Sequence, residues 1–114
     1  MQSASSNGQT VAKSVFEYAE TYSVGELGSV GIVYGATVNS STLDIDLTKP
    51  SRVPVLVPGF GSQGANLSQA RSLMKAFSPV SICSVSRLVA GSSREGLASR
   101  LAAAKSELEV GLRA

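Results

Sequence analysis

The chain has 114 residues, of which 43% are hydrophobic and 16% are charged, and its formal net charge is +2. This length suits one domain, and the apolar fraction is enough for a packed core, which argues against disorder. Basic residues are scattered and aromatic residues are few, so the composition excludes a nucleic-acid-binding stripe. The mild positive excess suits a small anionic ligand.

The chain contains one cysteine, Cys83, and no histidine. An internal disulfide is therefore impossible, a Cys/His zinc site is not expected, and a histidine-activated nucleophile is excluded. Cys83 stands in an apolar run and is predicted to be a small buried hydrophobe. Residues 1–8 do not resemble a secretory signal and no apolar run reaches membrane-spanning length, so the expected compartment is the cytoplasm.

The first half of the chain predicts a loop, a helix, a strand and a helical turn. Polar residues 1–8 predict the loop, and apolar residues recurring at steps of three and four predict a helix over 9–23. The predicted buried stripe of this helix consists of Val11, Val15, Tyr18 and Tyr22. Residues 29–35, an apolar run between glycines, favour a strand buried on both sides. Residues 39–42 predict the cap of a short helical turn that ends at Lys49-Pro50.

Two further strands and a helix follow. Residues 53–57 predict a buried strand that is stopped by Pro58-Gly59. Apolar residues at helical spacing predict a helix over 66–77, which Pro79 breaks. Residues 80–86 predict the third strand.

The last helix is predicted from a capping box, with Ser92 at the N-cap and Glu95 three residues later. Its predicted buried row consists of Leu97, Leu101, Ala104, Leu108 and Leu112. The order α-β-(short α)-β-α-β-α predicts an α/β fold with a parallel sheet and right-handed crossovers. Three parallel strands are few for an independent domain, so the pattern itself indicates an incomplete unit.

A glycine-rich loop carries the first functional signal. Gly59, Gly61 and Gly64 lie between a predicted strand and a predicted helix. Glycines let backbone N–H groups approach an anion, a helix N-terminus adds a favourable dipole, and Gln63 offers an amide donor. The spacing alone fits a phosphate cradle and an ordinary βα turn about equally well.

The same loop matches G-x-G-x-x-G, the fingerprint of dinucleotide-binding folds. Three features weaken that interpretation: Pro58 precedes the first glycine, no acidic residue ends the next strand, and no second nucleotide-binding half is visible. Arg87 at the end of that strand would suit a 2′-phosphate, so an NADP-binding α/β domain stays an alternative.

Arg87 carries the second signal. It follows the third predicted strand, and the carboxyl ends of parallel strands meet at one edge, where ligands bind in barrels and open sheets. A guanidinium there would grip a phosphate through two hydrogen bonds. An isolated arginine is more simply explained as solvated or paired with a carboxylate. Together with the glycine loop, Arg87 favours phosphate binding.

Three motifs resemble the orotidine 5'-monophosphate decarboxylase family. Residues 57–64, Val-Pro-Gly-Phe-Gly-Ser-Gln-Gly, and the later Ser86-Arg87 are similar to the last strands of these enzymes. Residues 31–37, Gly-Ile-Val-Tyr-Gly-Ala-Thr, resemble the family's VVGAT strand. The motifs stand in family order and cover residues 29 to about 100. Ala65 stands where family members often have a second glycine.

The resemblance implies a (β/α)8 TIM barrel that decarboxylates orotidine 5'-monophosphate to UMP without a metal or cofactor, and that is a homodimer when complete. It implies that Gln63 and Arg87 bind the 5'-phosphate, with Gln63 also bridging toward the pyrimidine. Backbone N–H groups around Gly64, Ser86 and Arg87 would complete the anion site. Two further residues, Pro58 and Phe60, would lie against the base. The loop from Gly61 to about Leu67 would close over the phosphate.

The family's Asp-x-Lys-x-x-Asp catalytic motif does not occur in the sequence. Lys49 follows Asp44 and Asp46, but in a loop context, so no catalytic residue is assigned. A complete barrel takes ~250 residues. We therefore expect residues 1–114 to be the C-terminal portion of such an enzyme, approximately strands six to eight, whose partner is the missing N-terminal half and which is inactive alone.

Two alternatives remain: a non-catalytic phosphate- or nucleotide-binding module, and the NADP-binding domain. A related sugar-phosphate decarboxylase would share the phosphate grip, so the substrate rests on the resemblance alone.

Overall fold

A computed structural model describes residues 4–6 and 8–113, which form a mixed α/β fold around a parallel sheet. The loop predicted over residues 1–8 lies partly outside the described residues. Its described part contains β1 (Ser5–Ser6), which pairs antiparallel with β2 (Gln9–Thr10). The loop prediction is therefore wrong for β1, and the predicted helix begins two residues later than expected.

Helix α1 (Val11–Tyr22) begins at Thr10, whose hydroxyl oxygen accepts a hydrogen bond from the Lys13 N–H at 3.1 Å. The helix prediction is confirmed, but the predicted buried stripe is wrong. Its members Val15, Tyr18 and Tyr22 are exposed, and the face that packs on the core carries Ala12, Phe16 and Ala19. Small alanines let the helix approach the sheet closely, which a search for large apolar residues does not reveal.

The main sheet consists of three parallel strands in chain order, β3 (Ile32–Val33), β4 (Val55–Val57) and β5 (Ser81–Cys83). The three strand predictions are confirmed, although each strand is shorter than predicted. Each crossover steps to the next strand in the same direction, and connections of one hand then place the helices on one face. This singly wound order is compatible with part of a TIM barrel.

The sheet is buried on one face only. On the helix side, Val55 and Val57 are fully buried. On the other side, Val33, Leu56 and Ile82 are exposed, and they lie side by side because the strand register pairs Val33 with Leu56 and Leu56 with Ile82. The prediction of strands buried on both sides is therefore wrong for the described chain, which leaves an apolar row open.

The connection from β3 to β4 contains α2 (Ser40–Leu43), which Asn39 caps as predicted by accepting the Ser41 N–H at 3.1 Å. The helix ends at Asp44, which has a left-handed φ of 59°, rather than at Lys49-Pro50. The chain then continues as a loop that buries Ile45 and Leu47 in the core.

The predicted helix over 66–77 is three successive pieces. A 3-10 helix (Leu67–Gln69) leads into α3 (Ala70–Met74), and a second 3-10 helix (Lys75–Val80) follows. The α-helix ends because Lys75 has a φ of +50°. Pro79 lies inside the second 3-10 helix, so the expectation that it breaks the helix is wrong; short 3-10 segments leave N–H groups unpaired and tolerate its missing donor.

Two helices complete the chain, α4 (Arg87–Ala90) and α5 (Leu97–Arg113). The last helix was expected, but it begins five residues after Ser92, so the predicted capping box is wrong. Gly96, with a φ of +77°, directly precedes it. The buried face carries Ala104 and Gly111 with the partly buried Leu108, whereas three leucines of the predicted row are exposed: Leu97, Leu101 and Leu112.

The core lies between the helices and the buried face of the sheet, and it is centred on residues such as Val55, Val57, Phe60, Met74 and Phe77. Cys83 is half-buried at the end of β5, less than predicted. Across the described ranges, no helix has the length and apolarity needed to cross a membrane.

Candidate functional site

The glycine loop begins where β4 ends. Its entrance is joined to the segment after β3 by a 2.7 Å hydrogen bond from the Ala36 N–H to the Pro58 carbonyl. Gly59, Gly61 and Gly64 all have positive φ, at 108°, 85° and 110°. Residues with a side chain rarely adopt these conformations, so the backbone path itself requires glycine at these three positions.

The loop is closed by its own hydrogen bonds. Gly61 N–H donates to the Ala65 carbonyl at 2.8 Å, and Gly64 N–H donates to the Gly61 carbonyl at 3.1 Å. The Gly64 amide, expected to face the anion, is therefore occupied within the turn in this conformation. Ser62, Gln63 and Gly64 are nevertheless exposed, so the tip of the loop is accessible.

The helix after the loop starts later than the sequence suggested. Asn66 and Gln69 form a capping box, in which the Gln69 side chain accepts the Asn66 N–H at 3.2 Å. The α-helix begins only at Ala70. The N-terminus of this short helix therefore does not lie at the glycines, and its dipole does not favour an anion there. Anion binding at the glycines depends on the loop and on the neighbouring segment.

The second motif lies beside the loop, as predicted. The segment after β5 is joined to β4 by a 3.0 Å hydrogen bond from the Ser84 N–H to the Val57 carbonyl. Arg87 then opens α4, and a Cβ atom placed on Gly61 would lie 3.0 Å from the Cβ of Leu88. The glycine loop and the first turn of α4 are therefore in direct contact at the carboxyl edge of the sheet.

Arg87 and the backbone before it have unused donors. The Arg87 side chain is exposed, and it forms neither a hydrogen bond nor an ion pair with any residue of the described chain. The Ser86 carbonyl accepts the N–H groups of Val89 and Ala90, whereas no hydrogen bond within residues 8–113 uses the N–H of Ser86 or Arg87. A guanidinium and two amides thus remain available for an anion.

The other predicted site residues, Gln63, Pro58 and Phe60, differ in how much of their side chains is exposed. The Gln63 side chain lies against Gly59, where a Cβ atom would be 3.3 Å from its Oε1. Pro58 is half-buried at the loop entrance. Phe60 is only 3% exposed and packs in the core, so its ring has almost no surface left for a base.

Acidic residues near Lys49 have structural roles. Asp46 accepts both the N–H and the hydroxyl of Thr48, at 2.9 and 2.5 Å, and these hydrogen bonds lower the pKa of its carboxyl. Asp44 forms a 3.2 Å ion pair with Lys13. Groups of three or more metal-ligating side chains are absent from the described residues.

Sequence reasoning missed Arg100. Its guanidinium lies at the C-terminal end of α4, where it donates to four backbone carbonyls. The sequence offers one weak signal for it, because Gly91 and Gly96 flank a loop that this side chain fills. An arginine on a predicted helix otherwise looks like an ordinary surface residue.

The geometry disfavours the dinucleotide-binding alternative. In the dinucleotide-binding strand order 3-2-1-4-5-6, the strand before the glycine loop lies between two later strands, whereas β4 lies between the earlier β3 and the later β5. The third glycine of that fingerprint allows close helix–strand packing, yet a Cβ atom on Gly64 would meet nothing within 4 Å. The match to the fingerprint is therefore a consequence of turn geometry here.

Comparison with known proteins finds orotidine 5'-phosphate decarboxylases. The chain is 34% identical over 98 residues to the one from Salinispora arenicola and 32% identical over 99 residues to the one from Salinispora tropica, alignments that cover 84% and 85% of this chain. It is 43% identical over 54 residues, 47% of this chain, to the one from a Nocardioides species.

The chain spans about a third of the length of each Salinispora protein, 34%, and 18% of the Nocardioides protein. No family model and no solved structure matches it. The resemblance that the three motifs indicated is confirmed by these matches, and over most of its length the chain is related to the orotidine 5'-monophosphate decarboxylase family.

Proposed function

We propose that this chain is the phosphate-binding part of an orotidine 5'-monophosphate decarboxylase, corresponding to the C-terminal strands six to eight of its barrel. The observation that carries the proposal is the contact between the glycine loop and the first turn of α4, which brings Gln63 and Arg87 to one edge of the sheet. Phosphate binds well where a guanidinium and free backbone N–H groups converge.

In the proposed complex, Arg87 grips the 5'-phosphate through two hydrogen bonds, and the N–H groups of Ser86 and Arg87 donate to the same anion. Gln63 donates its amide to the phosphate and reaches toward the pyrimidine. Gly64 contributes its N–H only if the loop opens its internal turn. Pro58 borders the base, and Phe60 supports the loop from the core rather than touching the base with its ring.

The exposed tip of the loop closes over the bound phosphate. Ser62, Gln63 and Gly64 are exposed, and the core contacts of the loop are made by Phe60 and Ala65. Closure on the phosphate would convert binding energy at a remote group into stabilisation of the reacting pyrimidine.

The open sheet face supports the assignment to a barrel. Val33, Leu56 and Ile82 form one apolar row across all three strands, on the side away from the helices. The interior of a barrel is filled by layers of such side chains from neighbouring strands. We propose that the remaining two thirds of the barrel cover this row and pair with the edges of β3 and β5, in a complete enzyme that is a homodimer.

The catalytic lysine and aspartates of the family belong to the proposed remainder of the barrel. Protonation of the carbon that loses carbon dioxide needs a positioned lysine, and electrostatic stabilisation supplies most of the acceleration. The 114-residue chain incubated with orotidine 5'-monophosphate is therefore expected to produce no UMP. Measurable turnover by the purified chain would contradict this part of the proposal.

Binding is tested by titrating the chain with UMP and with uridine, which differ only in the phosphate. UMP is expected to bind more tightly, and Arg87→Ala and Gln63→Ala are expected to reduce this preference. Arg71→Ala serves as the matched control, because Arg71 lies on α3 and makes only one 3.3 Å hydrogen bond, to the Leu112 carbonyl. Equal binding of UMP by all variants would refute the site, and selective binding of NADP would favour the dinucleotide alternative.

A further inference from the structure

Arg100 closes the C-terminal end of α4. Its Nε donates to the Val89 carbonyl at 2.7 Å, and its Nη2 donates to the carbonyls of Ala90 and Ser93 at 2.9 and 2.6 Å. Its Nη1 donates to the Glu95 carbonyl at 2.8 Å. The last carbonyls of a helix have no partner within the helix, and this one side chain satisfies the last two of α4 and also bonds the loop that follows.

The guanidinium is enclosed by glycines. A Cβ atom on Gly91 would lie 2.8 Å from both Cζ and Nε of Arg100, and one on Gly96 would lie 3.0 Å from Nη1. Both glycines also have positive φ. The loop therefore wraps closely around the guanidinium, and the planar arrangement of its donors matches carbonyls in several directions, which an ammonium group cannot do.

Helix α5, which carries Arg100, also packs against the segment that follows the glycine loop. Near its C-terminal end, Gly111 of α5 packs directly on the backbone of Leu67 and Ser68, where a Cβ atom would overlap with the Leu67 carbonyl oxygen. These residues continue the glycine loop. One end of α5 thus supports the loop that carries Gln63, and Arg100 near the other end supports the helix that carries Arg87.

We infer that Arg100 is a positioning residue for phosphate binding: through two carbonyls of α4 and two of the loop that follows, it holds α4 so that Arg87 and the free N–H groups of Ser86 and Arg87 face the glycine loop. The inference rests on the proposed function for the identity of the ligand. Arg100 itself is not expected to touch phosphate, because four of its five N–H donors are engaged behind the helix.

The structural half of the inference is tested without ligand by amide hydrogen exchange on the full chain. Arg100→Lys keeps the charge and removes the planar set of guanidinium N–H donors. It is expected to lower the protection of the Ala90 and Gly91 amides from exchange. Arg71→Lys is the matched control, since Arg71 makes a single 3.3 Å hydrogen bond to a backbone carbonyl away from α4. Unchanged protection of α4 in Arg100→Lys would overturn the inference.

The ligand half is tested by a double-mutant cycle with Arg87→Ala, using UMP as the probe and uridine as the reference. If Arg100 acts through Arg87, Arg100→Lys weakens UMP binding about tenfold in the natural chain and has little further effect once Arg87 is removed. Uridine binding stays unchanged, which a general loss of structure would not permit.

An equal loss of UMP binding in both backgrounds would overturn the positioning role, as would an Arg100→Lys chain that binds UMP normally. If the natural chain shows no preference for UMP over uridine, the proposed function fails, and the ligand half of the inference fails with it. Hydrogen exchange still decides in that case whether Arg100 holds α4.

Discussion

The same substitution, valine to alanine, can be made on each face of the sheet. Comparing the two variants tests whether one face is exposed to solvent. Val57 is 0% exposed on the helix side, and Val33 is 69% exposed on the other side. The change removes two methyl groups, about 1.6 kcal/mol of transfer free energy at ~0.8 kcal/mol each. With the cavity left behind, Val57→Ala should lower the free energy of unfolding by roughly 2–3 kcal/mol. Val33→Ala should cost only about 0.5 kcal/mol, because two thirds of that surface is already in water.

Urea denaturation followed by circular dichroism measures both values, with equal slopes as the check that the transitions are comparable. Repeating the experiment at several protein concentrations separates folding of the single chain from association. If Val33→Ala is as destabilising as Val57→Ala, the second face is covered in solution and the account of an open barrel segment is wrong.

Three further predictions concern stability and reactivity. Ser23→Ala should cost about 1–3 kcal/mol in urea denaturation, because the buried Ser23 hydroxyl bonds both the carbonyl and the N–H of Val30 at 2.9 and 3.2 Å. Gly111→Ala should cost about 1–3 kcal/mol by the same assay, despite the better helix propensity of alanine, because the added methyl overlaps with the backbone at Leu67; a neutral result would contradict the close packing of α5. Burial raises the pKa of the Cys83 thiol, so iodoacetamide should react more slowly with the folded chain than with the unfolded chain near pH 8.5. Faster alkylation of the folded chain would refute this raised pKa. Since the thiol pKa is higher in the folded chain, the free energy of unfolding should be greatest below the ordinary thiol pKa and should fall as the pH rises above it.

Element types were predictable because they depend on local patterns. The β4 run is apolar and ends at Pro58-Gly59, and Asn39 is a good helix cap, so both features appear where the sequence suggested. Which face of an element is buried was less predictable. Val15 and Tyr18 look like core residues by size, yet Ala12, Phe16 and Ala19 pack inward, because small residues are as compatible with a closely packed contact as large ones.

The candidate site was predictable as far as topology determines it. Parallel strands place their carboxyl ends together, so the proximity of the glycine loop to Arg87 followed from strand order alone. The burial of the Phe60 ring and the turn that occupies the Gly64 N–H did not, since both depend on how the loop folds back on the core. Arg100 was missed because its partners are backbone carbonyls, which no residue type marks, and the flanking Gly91 and Gly96 are only a weak signal.

The central claim is that the glycine loop and the first turn of α4 form one phosphate site. Backbone NMR of the full chain, titrated with UMP and with uridine, tests it most directly. The account predicts phosphate-dependent shifts that are concentrated in residues 59–64 and 84–88. Shifts of the same pattern and size with uridine, or UMP-dependent shifts elsewhere that leave these two segments unchanged, would contradict it.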